Sequence, residues 1–214
     1  LYHRWRDGER DSVQLLHAYG YQLGGVVELY ESTLNPDHLA FAIDLAEGLL
    51  QRFHDKEAGG FWTAQGSGDL IVHLKEERDG AEPAAASVAV LALLKLGVIT
   101  ERKDFTQAAE STLRLYAKTL EEKPYVLPHM LAGLDFWLHK PWRTVVAGKS
   151  DDAQVAQLAD TVHRIYQPNK VVLGNVGAVE KFARTLEPGA SGPVVYICSG
   201  QECKLPTADP KEIH

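Results

Sequence analysis

Apolar residues recur every three to four positions in successive segments of this chain, a spacing that commits it to helices packed face to face. Starting from Asp11 or Ser12, either of which suits a helix N-cap, the first stripe runs through Val13, Leu16, Tyr19, Leu23, Val26, Val27 and Tyr30. A turn at Asn35-Pro36 separates it from a second stripe, Leu39, Ala42, Ile43, Ala46, Leu49, Leu50 and Phe53. So short a connection makes the two helices antiparallel neighbours. Farther on, Pro83 occupies a first-turn position, and Ser87, Val88, Leu91, Leu94 and Leu96 carry a helix that is apolar on most sides and therefore buried. A more polar partner, Phe105 to Leu120, completes a second hairpin, and a further helix follows over Met130 to Leu138. Repeated hairpins of inner helix, turn and outer helix predict a toroid or solenoid. Gly20, Gly24 and Gly25 cost roughly 1 kcal/mol each within a helix, so a neighbouring helix or a ligand is expected close to that backbone.

From Arg143 the pattern changes. A strand over Thr144 to Gly148, a helix from about Asp151 to Tyr166 and a strand over Lys170 to Gly174 read as a βαβ unit. Another helix is expected over Val176 to Leu186, a third strand over Pro193 to Cys198, and a polar surface tail over Leu205 to His214. At the other end, Leu1 to Arg6 forms an extended arm that turns at Asp7-Gly8. The expected class is mainly α, with helical hairpins over 1–141 and a small α/β appendage with its tail over 142–214.

With 214 residues, 45% of them hydrophobic, the chain can bury the core of one domain with a small appendage. The net charge of −7, with scattered Lys and Arg, argues against a nucleic-acid partner. Ala84 to Leu94 is the longest apolar run; Ser87 interrupts it and Lys95 closes it, too short for the ~20 residues of a membrane span. The first residues lack an initiator Met and an apolar leader, so a piece of something longer is expected. Two cysteines, Cys198 and Cys203, are too few for a secreted disulfide scaffold. The expectation is a reducing, cytoplasmic compartment and two free thiols, with a disulfide or a redox pair as the other readings. No second cysteine pair completes a zinc site, and Gly148 and Gly174 lack the G-x-G-x-x-G spacing of a nucleotide loop. Neither a metal nor a cofactor is expected.

Several stretches together resemble one family: Tyr19-Gly20-Tyr21 with Leu29-Tyr30-Glu31, Phe53 to Phe61 with Gly59-Gly60, Leu74 to Pro83, His163 to Val171, and the Cys198-x4-Cys203 tail that ends in Thr207-Ala208-Asp209-Pro210. They look like the C-terminal part of the spermatogenesis-associated, thioredoxin-domain-containing proteins of bacteria and animals. The resemblance implies a thioredoxin-like domain ahead of an (α/α) toroid similar to N-acylglucosamine 2-epimerases and six-hairpin glycosidases. This chain would then be a partial (α/α) toroid holding the later hairpins and the appendage. Its implied partners are the missing thioredoxin-like domain and toroid hairpins, a second copy of itself, or a small carbohydrate. The chain departs from the family where an acidic pair gives way to His17-Ala18 and where Ser and Asn give way to Ala84 and Ala86. The function that the resemblance implies is carbohydrate binding or sugar isomerisation; a degenerate site on a non-catalytic scaffold or interaction module is the alternative that these departures imply.

Candidate chemistry gathers in the long connection from Asp55 to the third helix. Glu76, Glu77, Asp79 and Glu82 include enough carboxylates for a general acid and base, although a solvated loop is the plainer reading of Glu76 and Glu77. Asp79 before Gly80 suits a turn-fixing role as well as a place at the toroid mouth. Trp62, beside Phe61, either stacks on a sugar or closes the core. His17 would need a partner such as His54 or His73 to abstract a proton, and a structural role is expected for all three. The candidate pocket is thus His17, Tyr19, Trp62, Lys75, Asp79 and Glu82, with no catalytic residue assigned.

Overall fold

The computed structural model describes residues 1–2, 4–10, 12–65, 74–139, 141–199, 202–209 and 211–213. A two-stranded hairpin, β1 (Trp5–Arg6) and β2 (Glu9–Arg10), turns at Asp7-Gly8 as the sequence predicts. Helix α1 covers Leu16–Thr33 and α2 covers Pro36–Phe53. Asn35 caps α2, its side-chain oxygen accepting from the Asp37 N–H at 2.9 Å, with Pro36 in the first turn. Helix α1 starts later than predicted, and Ser12 does not cap it; Asp11 lies outside the described residues. Leu15 is the N-cap and offers no side-chain acceptor, so the Leu16 N–H donates instead to the Thr63 carbonyl at 2.9 Å.

Helix α3 (Ala85–Thr100) is buried on almost every side and lies at the centre of the packing. It meets α1, α4 (Lys103–Leu115) and α6 (Pro128–Leu138). The glycine expectation holds at two positions. A Cβ at Gly20 would lie 2.7 Å from the Ala85 carbonyl oxygen and one at Gly24 2.8 Å from Val88, whereas Gly25 faces open space. Contacts between the helices advance in step, Gly20 with Ala85, Gly24 with Val88, and Glu31 with Lys95, so α1 and α3 run parallel. Gly133 of α6 lies against Val90 in the same sense. Three helix N-termini therefore meet at one end of the molecule.

Two predicted helices are corrected. The stretch from Phe105 to Leu120 breaks at Tyr116, after which α5 runs over Ala117–Glu122. Tyr116 is buried, and its hydroxyl donates to the Glu76 carbonyl at 2.7 Å. Val176 to Leu186 contains only a single 3-10 turn, Ala183–Thr185. Gly177 adopts φ 92°, and the buried Glu180 draws the backbone into other contacts: its N–H donates to the Ile99 carbonyl and its carboxylate accepts from Phe182 N–H and Arg143.

The βαβ unit forms as predicted, with β3 (Trp142–Ala147), α7 (Ala153–Arg164) and β4 (Lys170–Gly174), the two strands being parallel. Strand β5 (Val194–Ser199) pairs antiparallel with β3, and the short β6 (Glu202–Cys203) extends the order to β4-β3-β5-β6. Helix α1 covers the outer edge of β4. The Val172 N–H donates to Glu31 Oε1 at 2.9 Å and the Gly174 N–H to the Tyr30 hydroxyl at 3.2 Å, so side chains stand where another strand would pair. The tail is not wholly a surface segment: Ile213 is buried with Val146, Val155 and Leu158, and Thr207 exchanges backbone hydrogen bonds with Val195. No helix of the described residues is long and apolar enough to cross a membrane.

Candidate functional site

The loop from Leu74 to Ala84 lies over the end where α1, α3 and α6 begin, and two of its carboxylates, Asp79 and Glu76, accept from backbone N–H groups at the starts of α3 and α6. Asp79 is the hub. Its Oδ1 accepts from the Ala84 N–H and the Ser87 hydroxyl, both at 2.8 Å, and its Oδ2 accepts from the His129 N–H of α6 at 2.7 Å. Glu76 Oε2 accepts from the Ala85 N–H at 2.7 Å. Helix α3 has no side-chain cap from its own N-cap residue, Ala84, so these carboxylates take that role from the loop and sit at the positive end of the helix dipole. Pro83 lies just outside the helix rather than in its first turn, and its carbonyl accepts from the Tyr21 hydroxyl. Burial, followed by the charges of Glu82, Glu76 and Asp79, raises the Tyr21 pKa and keeps that donor protonated. Burial likewise pushes the Tyr116 hydroxyl up to about 12.

Lys75 turns the other way. Its ammonium donates to Asp55 Oδ2 at 2.8 Å and to the Gly59 carbonyl at 2.6 Å, and sits 4.3 Å from the centre of the Trp62 ring. Asp55 Oδ1 meanwhile accepts from the N–H groups of Glu57 and Ala58. The Lys75 hydrogen bond, then that from Ala58, depresses the Asp55 pKa to about 2 from an ordinary 3.8. Because the folded value lies below the unfolded one, this clip stabilises the fold fully above pH 3.8 and is lost as pH falls toward 2. In thermal unfolding the gap between the wild type and Asp55→Asn should stay constant from pH 7 down to about 5 and close below about 3. A gap that persists at low pH would refute this assignment.

The predicted pocket residues separate into four places, Asp79 standing at the starts of α3 and α6. His17 and Glu82 come together, Nε2 to Oε1 at 3.4 Å, on an open cleft of about 530 Å³ that is also lined by Glu76, Glu77 and Arg78. Tyr19 is in the core, edge-on to Phe53, with its hydroxyl donating to Gln14. Trp62 and Lys75 belong to the Asp55 clip, while Phe61 is fully buried. His54 lies in a different cleft, about 560 Å³ between α2 and α4, with Nε2 3.1 Å from the Ser111 hydroxyl; burial lowers its pKa. His73 lies outside the described residues. Ala84 and Ala86 are both buried.

Cys198 and Cys203 form a disulfide, where two free thiols were expected. The hairpin register explains the difference: β5 and β6 place the two directly opposite each other, with Cα atoms 4.0 Å apart. Among the described residues, no group of three His, Cys, Asp or Glu could hold a metal ion.

Sequence reasoning passed over Glu31 and Lys95. Glu31 Oε2 accepts from the Lys95 ammonium at 2.8 Å while Oε1 holds the edge of β4, and its carbonyl accepts from His163 Nε2 at 2.9 Å. Burial raises the Glu31 pKa against the pull of Lys95. The available signal was a lone Lys on an otherwise apolar helix, whose buried surroundings demand an acidic partner.

This geometry defines a helical-hairpin protein whose central loop holds helix ends together and whose sheet edge is sealed by a helix. Over 207 residues the chain is 30% identical to spermatogenesis-associated protein 20 of Mus musculus, covering 92% of this chain and 26% of the relative. The human protein of that name is 29% identical over 211 residues, with the same two shares. An uncharacterized protein of Caenorhabditis elegans is 27% identical over 206 residues, 91% of this chain and 27% of its own. The similarity supports the family that the sequence resembles, and the chain spans about a quarter of the length of the curated relatives it matches. No protein-family model matches the chain.

Proposed function

We propose that this chain is a non-catalytic helical scaffold, a segment of a partial (α/α) toroid within a longer thioredoxin-domain-containing protein. The carrying observation is the occupation of the loop acids: both oxygens of Asp79 and one of Glu76 accept from donors at helix starts, which removes them as a free acid and base. Parallel α1, α3 and α6 supply an inner layer, with α2 and α4 outside it. Residues 1–141 are the hairpin unit and 142–214 its α/β appendage, joined by Glu31. The cleft of about 390 Å³ between α1 and α3, where Gly25 is open, suits the approach of a further toroid helix or a second copy.

A second reading, binding or isomerisation of a small carbohydrate, is favoured by one observation, the solvent-facing His17–Glu82 pair in its cleft. A thermal-shift titration with monosaccharides and disaccharides separates the two. The scaffold reading expects no concentration-dependent rise in melting temperature. A rise that disappears in His17→Ala would overturn it and establish the carbohydrate reading.

A further inference from the structure

We propose that the Cys198–Cys203 disulfide is a reducible clasp that controls docking of the C-terminal tail, and that it accepts electrons from a dithiol. The two sulfurs differ in access: Cys198 is buried, whereas Cys203 is exposed on a two-residue edge strand. Only Cys203 is open to an incoming nucleophile.

The chain beyond the clasp depends on it. After β6 the tail continues along the free edge of β5, with the Lys204 N–H donating to the Ile197 carbonyl at 2.9 Å. The Val195 N–H donates to the Thr207 carbonyl at 2.8 Å, and the Thr207 N–H returns a bond to the Val195 carbonyl at 3.1 Å. Farther along, Ile213 is buried in the same apolar cluster as Val146, Val155, Leu158, Val172 and Val195. This edge is short in hydrogen bonds, and the covalent link fixes its register where it begins. Breaking the link leaves the described part of the tail held by backbone bonds, the Lys204 ammonium near the Trp142 ring and the buried Ile213, the kind of element that opens locally while the rest of the fold persists.

The exchange balances as two steps. A thiolate of the dithiol attacks the Cys203 sulfur, the S–S bond breaks, and its electron pair passes to the Cys198 sulfur, which takes up a proton. The second thiol of the dithiol then attacks the mixed disulfide, closes its own ring disulfide and releases Cys203 as a thiol. Two electrons and two protons have moved from the dithiol to the protein. The clasp reopens and recloses with ambient thiol poise, and the surface it uncovers is the apolar cluster around Val195.

The test uses dithiothreitol on the native chain without denaturant, followed by alkylation, intact mass and amide hydrogen exchange. Two alkyl groups per chain are expected after reduction and none before. The Val195 and Thr207 amides should exchange at least tenfold faster once reduced, with Leu173 in β4 unchanged. The double variant Cys198→Ala with Cys203→Ser should reproduce that pattern in the absence of reductant; if it fails to fold, reduced and alkylated wild type provides the same readout. Free thiols in the air-oxidised protein, resistance to dithiothreitol until unfolding, or unchanged protection at Val195 and Thr207 after reduction would each overturn the proposal.

Discussion

Asp79→Ala should lower the melting temperature by roughly 6–12 °C, the largest loss expected from a change in the central loop. The substitution removes the acceptor for Ala84 N–H, the Ser87 hydroxyl and His129 N–H at once. Losing a helix cap costs about 0.5–2 kcal/mol, and here two helices lose one. Ser87 is fully buried, so its stranded hydroxyl adds about 1 kcal/mol or more. Asp79 itself is only half-buried and water can reach part of the site, so the total lies at about 3 kcal/mol. For a domain of this size each kcal/mol moves the melting temperature by about 2–4 °C. Asp79→Asn keeps one carbonyl oxygen and should lose about half as much. Differential scanning calorimetry decides: a loss below about 2 °C for the alanine variant would mean that the loop does not hold the α3 and α6 starts together.

Glu31→Ala should cost about 3 kcal/mol, through a different mechanism. Among the described residues it leaves the Lys95 ammonium with only Glu28, whose side chain is largely exposed, and the buried Val172 N–H without its acceptor. Removing one partner of a buried ion pair costs about 3–5 kcal/mol, and the remaining Glu28 contact places the expectation at the lower end. Glu31→Leu combined with Lys95→Met should recover a good part of that loss, because an apolar pair carries no stranded charge. Urea unfolding of the three proteins measures both effects. If the double variant were no more stable than Glu31→Ala, the loss would belong to the orphaned Val172 N–H and not to the uncompensated lysine.

The hairpins were legible because their signal is local. Leu39 to Phe53 repeats with the period of a helix, and Asn35-Pro36 supplies both cap and first-turn proline, so α2 could be placed almost to the residue. The start of α1 was not, since its first N–H is satisfied by Thr63, nearly fifty positions away and invisible to any window of sequence. The same holds for the break at Tyr116, which coincides with a hydroxyl bond to the Glu76 carbonyl. The expected helix over Val176 to Leu186 failed for a related reason: Glu180 is helix-compatible by propensity, yet its pairing with Arg143 and the contact with Ile99 outweigh a preference worth a few tenths of a kcal/mol per residue.

The candidate site divides in the same way. Loop position before Gly80 was enough to expect a structural role for Asp79, whereas Glu76, read as part of a solvated loop, holds the Ala85 N–H. Which carboxylate would hold a helix, which would hold a lysine and which would face solvent was not readable, because acceptors choose among donors only after three helix ends have been brought together. For this protein, periodicity and turn chemistry in the sequence determined the hairpins, the parallel βαβ pair and the family resemblance. Tertiary structure alone decided the parallel layer of α1, α3 and α6, the seal of Glu31 on the edge of β4 and the pairing of Cys198 with Cys203. The first two depend on groups far apart in the chain, whose energies exist only once burial has removed the water that would otherwise satisfy them; the cysteines are near neighbours in sequence, and it is the β5–β6 register that sets them opposite each other.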